Sequence, residues 1–399
     1  MSFFRDSFSF DWRQIILREE MDMNSITIDN VIATNEVFTK LNNLRRWADF
    51  TSQQKYNELS KQALNCIIAY VLACASENAG KKISYEAFPK IALSRAFAKV
   101  YLFYDTPEHK IDEICKLGSV SRKRFDEEIA QIILEKTNHE FSDFILNGIG
   151  EYEKKIYRAA TKIATYIEFL EQNKNFMFMD FKDYARVQEI ERDLDKYRSL
   201  PGVKEFSDTD SHVFRLLQKI STLRNQNRWA TSCYNVECSV LGHLFDTAIF
   251  AYLFALDDSN FDEQYASKMF FIGIFHDIAE TWTRDIPSPV KDRIEGFRKA
   301  TEEYELKMLE ENVYAVIPKY LEKSLREVML EDEINAAYKK KIKEADYISA
   351  ESECYRNLLS GSRDPYFTEV ILRRKFDHNV TDLCDCVHGH FVEFAKKVM

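Results

Sequence analysis

The sequence predicts an all-α protein, and three observations carry that expectation. Its 399 residues include only 10 glycines and 7 prolines, where average usage of about 7% and 5% would supply ~28 and ~20. A sandwich, barrel or glycine-cradled nucleotide fold needs more of both at its turns. Apolar residues recur at intervals of three and four along much of the chain, the spacing of one helix face. Finally, 45% hydrophobic and 30% charged residues supply a sizeable core with a solvated surface rather than disorder.

Taken in order, the first long periodic segment is Leu59–Ala75, with Leu64, Ile67, Ile68, Val71 and Leu72 on one stripe. Tyr152–Glu171, Val213–Leu223, Ser239–Leu256 and Glu303–Val313 behave in the same way. Between the second and third lies Ser199-Leu200-Pro201-Gly202, after the charged Arg186–Arg198 run. Proline followed by glycine stops a helix and turns the chain. At the usual domain size of about 100–200 residues, this places a boundary between residues 1–203 and 204–399. Thirty phenylalanines and twenty tyrosines point to aromatic packing between helices rather than to base-stacking platforms.

The two parts echo one another. Ala69-Tyr70-Val71-Leu72-Ala73 is similar to Ala251-Tyr252-Leu253-Phe254-Ala255 at an offset of 182. Asp105-Thr106-Pro107 pairs with Asp285-Ile286-Pro287 at 180, and Lys154–Ala160 with Lys340–Asp346 at 186. Constant order with slowly drifting offsets is what a diverged repeat leaves, although short helical words also recur by chance.

Fifty-five basic and 65 acidic residues give a formal charge of −10. Such a chain repels the backbone of long nucleic acids but leaves small phosphorylated molecules as ligands. No stretch approaches the ~18 uninterrupted apolar residues of a membrane span. The start, Met1-Ser2-Phe3-Phe4-Arg5-Asp6, lacks a basic segment followed by an apolar one. Eight cysteines then read as reduced thiols of a cytoplasmic protein.

Chemistry concentrates in the second half. His276-Asp277 ends the apolar run Met269–Phe275, and Glu280 follows four residues after His276 on the same helix face. Next comes Asp285-Ile286-Pro287-Ser288-Pro289-Val290-Lys291, whose prolines end the helix. Upstream, His243 interrupts an apolar face; downstream, Asp346 lies on an amphipathic segment. Two imidazoles and two carboxylates suit a divalent cation such as Mn²⁺, Co²⁺, Fe²⁺ or Zn²⁺ with open positions for water and substrate. Cys384, Cys386, His388 and His390 do not make a second such set. Two residues turn a helix by about 200°, so the two i,i+4 pairs face opposite sides. Cys233 and Cys238 are expected to be core thiols, and Lys339-Lys340-Lys341 a solvated helix face.

The order His243, His276-Asp277, Asp346 resembles the signature of HD-domain metal-dependent phosphohydrolases. The block His276-Asp277-Ile278-Ala279-Glu280 with Asp285-Ile286-Pro287-Ser288-Pro289-Val290-Lys291 is similar to that of the bacterial 5′-deoxynucleotidase branch. Arg228-Trp229 resembles the pair that precedes the first histidine there. The resemblance covers about residues 215–360. It implies an HD-domain helical fold for the second half and hydrolysis of the 5′-phosphate of a small (deoxy)nucleoside monophosphate. It implies one divalent metal, Mg²⁺ included, on His243, His276, Asp277 and Asp346. Glu280 would hold or deprotonate the attacking water, and Asp285 would assist the leaving 5′ oxygen or contact the sugar. Arg228 would meet the phosphate, Trp229 would shape the ribose pocket, and Lys291 would add positive charge near the mouth. Other HD phosphohydrolases act on nucleoside triphosphates or cyclic nucleotides, and a nucleotide sensor without turnover is the remaining alternative.

Two positions depart from the family's pattern. Gly242 stands where an acidic residue is common, and Arg284 where glycine is common; Arg284 would either bind phosphate or narrow the pocket. The offsets set Lys61 opposite His243, Ser94-Arg95 opposite His276-Asp277, Ala98 or Val100 opposite Glu280, and Ala160 opposite Asp346. None of these is a usable ligand, so residues 1–203 are expected to be a degenerate HD-like copy. Enzymes of this branch tend to be homodimers, so the chain is either a homodimer or an internal pseudo-dimer.

Overall fold

A computed structural model describes residues 26–47, 55–173, 181–258, 262–329, 336–376 and 380–399. In the first half, helices run α1 (Ile28–Asn43), α2 (Glu58–Asn78), α3 (Ala87–Ala98), α4 (Glu108–Gly118), α5 (Lys123–Lys136), α6 (His139–Leu146), α7 (Glu151–Asn173) and α8 (Phe181–Asp195). The second half begins with α9 (Val203–Phe206), α10 (His212–Ser221), α11 (Val240–Leu256), α12 (Glu263–Phe275) and α13 (Glu280–Thr283). It continues through α14 (Ser288–Arg293), α15 (Phe297–Leu309), α16 (Lys319–Val328), α17 (Ala336–Leu359), α18 (Pro365–Leu372) and α19 (Asp382–Val398). Among the described residues there is no strand, only two isolated antiparallel bridges. The fold is all-α, as the composition predicts.

Two helices form the spine. Every residue of α11 is buried, and so is α2 from Glu58 to Ser76. A largely apolar sequence is what a helix packed on most sides requires, and polar residues of the two such as Lys61 and Asn65 or His243 and Asp246 are buried among other side chains. By length and composition α2 could cross a membrane, contrary to the expectation that no segment qualifies, yet its apolar window is wholly enclosed by protein. Both helices begin on a side-chain cap: Asn57 accepts from Ser60 N, and Ser239 from Gly242 N.

α2 and α11 pack against each other, and the same apolar core runs through both halves. Ser60 Oγ lies 2.9 Å from Ser239 Oγ at the crossing. Gly242 faces α2 closely: a Cβ there would sit 3.2 Å from Leu59 Cδ2. The glycine in place of the family's acidic residue thus fits the near approach of α2. Tyr70 of α2 packs its ring 4.7 Å from Phe271 and 5.3 Å from Phe275 of α12, and its hydroxyl donates to Ser324 O at 2.9 Å. At the Pro201-Gly202 turn, Gly202 has φ 81°, and its backbone lies against Ala75 of α2.

Local structure repeats between the halves. The bridge Arg45–Asn57 has a counterpart in Asn227–Ser239, each residue 182 positions on. Arg46 N donates to Tyr56 O at 2.8 Å, and Arg228 N to Cys238 O at 2.9 Å. Glu58 N to Leu44 O and Val240 N to Gln226 O, both 3.0 Å, complete the same turn. Arg46 Nε and Trp47 Nε1 donate to Glu168 of α7; Arg228 Nε and Trp229 Nε1 donate to Glu353 of α17. Tyr104 and Arg284, each just before the Asp-x-Pro segment, both take positive φ. Matching Glu168 to Glu353 shifts the register of the last helix by one residue, so Thr161 rather than Ala160 stands opposite Asp346.

Candidate metal centre

Three elements converge on the second-half site. His243 lies one turn into α11 and is buried. Asp346, Ser349 and Glu353 occupy one face of α17, at intervals of three and four. Asp346 Oδ1 lies 3.0 Å from His243 Nε2, while Ser349 Oγ and Glu353 Oε1 lie 2.8 and 3.3 Å from Nδ1. Both ring nitrogens are therefore held, and the ring orientation is set by the partners of Nδ1.

The third element is the end of α12. His276 caps that helix, and its Nδ1 donates to Gly273 O at 2.7 Å. The proton on Nδ1 leaves the Nε2 lone pair for a ligand. Gly273 is required here: a Cβ would lie 2.7 Å from Ala248 Cα of α11. That close approach carries His276 to His243, ring centroids 5.6 Å apart. Asp277 Oδ2 is 3.0 Å from His276 Nε2.

One ligand atom from each of His243, His276, Asp277 and Asp346 lies within 4.8 Å of the others. His276 Nε2 is buried with only the Asp277 carboxylate beside it, and Glu280 Oε2 nearby is buried without a hydrogen-bond partner. Two imidazoles and two carboxylates that face one another in this way fit a divalent cation. Burial and Arg228 work against a charged His243, but Glu353 and Asp346 prevail and raise it to about 9. Burial opposes ionisation of Asp277 and Asp346, yet His276 beside Asp277, and Lys343 and His243 beside Asp346, hold both carboxyls below their ordinary range.

Glu280 behaves in the opposite sense. Burial, then the carboxylates of Asp277 and Asp285, push its carboxyl well up. Burial also raises Asp285. A cation among the four donors would offset this repulsion, so the acid–base state of Glu280 depends on the occupant. Gln226 Nε2 donates to the Glu280 carbonyl at 3.0 Å and ties α13 to the turn that carries Arg228.

The remaining sequence-predicted residues surround this cluster unevenly. Arg228 Nε bonds Glu353 Oε2 at 3.0 Å, and its charge acts on Asp285, Asp346 and Glu280. Trp229 Nε1 bonds the same oxygen at 2.8 Å, with its ring edge-on to Tyr366 and Phe367. Lys291 pairs with Glu305 at 3.5 Å. Arg284 is exposed, with φ 64° and ψ 164°. That backbone region is nearly exclusive to glycine, which gives the family's preference for glycine here a conformational cause.

Sequence reasoning missed Glu353, Ser349 and Lys343. Lys343 Nζ donates to Asp346 Oδ2 at 2.6 Å. Glu353 is buried, and although burial opposes ionisation, Arg228 and His243 hold its carboxyl at about 2. The spacing Asp346, Ser349, Glu353 puts them on one helix face but does not distinguish a buried carboxylate from a solvated one. Cys384, Cys386, His388 and His390 form no metal-ligand group among the described residues; His388 Nδ1 instead pairs with Glu351 at 2.8 Å. Cys238 is buried, but Cys233, in the same turn before α11, is exposed, against expectation. Lys341 in the lysine run is half-buried on Asp258 at 2.9 Å.

Residues 215–392 match a protein-family model described as YfbR-like, 5′-deoxynucleotidase YfbR-like. The matched span contains the candidate metal ligands His243, His276, Asp277 and Asp346 together with Arg228, Trp229, Glu280, Arg284, Asp285 and Lys291, so the second half is similar to a 5′-deoxynucleotidase family of the phosphohydrolase type. It stops short of the first half, which makes up the rest of the chain. No curated protein and no solved structure matches the chain.

Proposed function

We propose that the second-half site is a metal-dependent phosphomonoesterase centre that removes the 5′-phosphate of nucleoside monophosphates, deoxynucleotides foremost. The observation that carries this reading is the convergence of His243, His276, Asp277 and Asp346 within 4.8 Å, inside the segment similar to 5′-deoxynucleotidases. A divalent cation on these four residues would lower the pKa of bound water and neutralise charge developing on the phosphoryl oxygens.

The chain's own residues supply the rest. Glu280, once ionised, takes the proton of the attacking water as general base. Asp285, whose carboxyl burial raises, assists the departing 5′ oxygen or contacts the sugar. Arg228 is fixed through Nε by Glu353, and its remaining guanidinium N–H groups serve the phosphate oxygens. Trp229 is locked by the same carboxylate and gives the sugar side of the pocket a rigid wall. Lys291 and Arg284 contribute positive charge at the rim.

Phosphate release from a panel of nucleoside 5′-monophosphates, with EDTA and with Mn²⁺, Co²⁺ or Mg²⁺, tests the proposal. Release is expected only with metal, and Asp277→Ala should lower it about 10³-fold or more. Release indifferent to EDTA would sink the reading. Turnover of triphosphates or cyclic nucleotides alone would assign the site to another HD phosphohydrolase reaction, and nucleotide binding without turnover to a sensor.

A further inference from the structure

The first half encloses a cavity of about 440 Å³, within the range of pockets that take nucleotide-sized molecules. It is built on the structural counterparts of the second-half site. Lys61 occupies the α2 position that corresponds to His243 on α11, and Thr161 of α7 corresponds to Asp346 of α17. Arg95, opposite Asp277, and Lys99, next to the positions opposite Glu280, line it as well. Among the described residues no histidine or cysteine lines the cavity, so its lining is not the donor set of a transition-metal site.

Its charge has the opposite sign to that of the protein. Eight basic side chains and five acidic ones line it, in a chain of net charge −10. Arg46 is committed to Glu58 and Glu168, Arg95 to Glu108, and Lys162 to Asp193. Lys61 and Lys99 form no ion pair among the described residues: Lys61 donates to Thr165 Oγ1 at 2.7 Å and Lys99 to Thr106 O at 3.3 Å. Lys61 is 5% exposed; burial, reinforced by Arg46, pulls its ammonium down to about 7. Glu168 and Glu58 act on it in the opposite sense, but both already face Arg46 and neither pairs with Lys61; a further anion beside the buried ammonium would offset the remaining cost. Asn65, 2% exposed, also lines the cavity, and its Oδ1 is buried without a hydrogen-bond partner. That acceptor calls for an O–H or N–H donor on the same ligand.

We propose that the first half is a second copy of the fold whose metal site has become a metal-free cationic pocket. It binds a nucleoside monophosphate without hydrolysing it. The phosphate dianion lies among Lys61, Arg95 and Lys99, and a sugar or base donor reaches Asn65. Hydrolysis does not follow there, because the positions of the second-half ligands and of Glu280 hold no metal donor set.

Calorimetric titration of the full chain tests this in EDTA and in an Asp277→Ala background, so that the metal-dependent site is silent. The probes are adenosine 5′-monophosphate and inorganic phosphate. One equivalent of the nucleotide is expected to bind at least ten-fold more tightly than phosphate. Lys61→Met and Lys99→Gln should each weaken it ten-fold or more, with Arg228→Ala leaving it unchanged. Lys99→Gln, at the less buried position, retains the test if Lys61→Met fails to fold. No binding, phosphate binding as tightly as the nucleotide, or binding that survives the lysine substitutions and falls with Arg228→Ala would each overturn the proposal.

Discussion

Arg284 shows how much a single backbone angle can hold. Its φ of 64° with ψ of 164° costs any residue with a Cβ about 1–3 kcal/mol. Glycine removes that strain but loses some of the gain to the greater freedom of the unfolded chain, ~0.5–1 kcal/mol. Arg284→Gly should therefore raise stability by about 1 kcal/mol in denaturant unfolding. Arg284→Ala, which keeps the Cβ, should give no such gain. Equal stability of the two variants would show that the charge matters and the angle does not. Comparing KM in both variants then isolates the guanidinium: a rise shared by the two places it on the substrate, and no change leaves it a rim charge. From the sequence, Arg284 could be read only as a phosphate ligand or an obstruction, because φ is invisible in a residue name.

Among the elements, the α11–α12 crossing decides whether the site exists. His243 and His276 are 33 positions apart in sequence, and only the close passage of two helices brings their rings to 5.6 Å. Gly273 permits that passage, with no room for a Cβ against Ala248. Gly273→Ala must push the helices apart, at a cost of about 1–3 kcal/mol for an overpacked core. It should also weaken divalent metal binding, since it displaces the carbonyl that orients His276. Titration with Co²⁺, followed by its visible absorption, checks both halves of the statement: unchanged affinity in a destabilised variant would uncouple the crossing from the site. The helices themselves were legible because a 3–4 apolar rhythm is a local property. The segments read at Leu59–Ala75, Tyr152–Glu171 and Ser239–Leu256 fall within α2, α7 and, but for the cap Ser239, α11. The glutamates that organise the sites were not legible. Glu168 and Glu353 look like solvated charges of amphipathic helices, and only the arrival of Arg46-Trp47 or Arg228-Trp229 from a distant turn shows that they are buried. The echo of Arg46-Trp47 by Arg228-Trp229, at the offset of 182 that relates Ala69 to Ala251, was nonetheless open to reading.

For the whole molecule, the two halves share what each would need to stand alone. α11 is buried on every side, and α2 supplies one of those sides through Leu59 and Ser60. Tyr70 fills the face of α12 at Phe271 and Phe275. Polar ties reinforce the contact: Asn42 Nδ2 donates to Glu237 O at 2.9 Å, Lys90 pairs with Glu263 at 3.0 Å, and Ser352 bonds Asn35. Each large apolar side chain uncovered by removing the first half forfeits ~1.5–3 kcal/mol, against a total stability of about 5–15 kcal/mol for a typical domain. A handful of such residues exceeds that margin. Residues 205–399 expressed alone should therefore be insoluble or associate through the exposed α11–α12 face, although they contain every residue of the candidate metal centre. Co-expression with residues 1–204 as a separate chain should return soluble material that elutes as a one-to-one complex in size-exclusion chromatography. A soluble, monomeric and active 205–399 fragment would show instead that the first half is an independent attachment, and the shared core would then carry no part of the second half's stability.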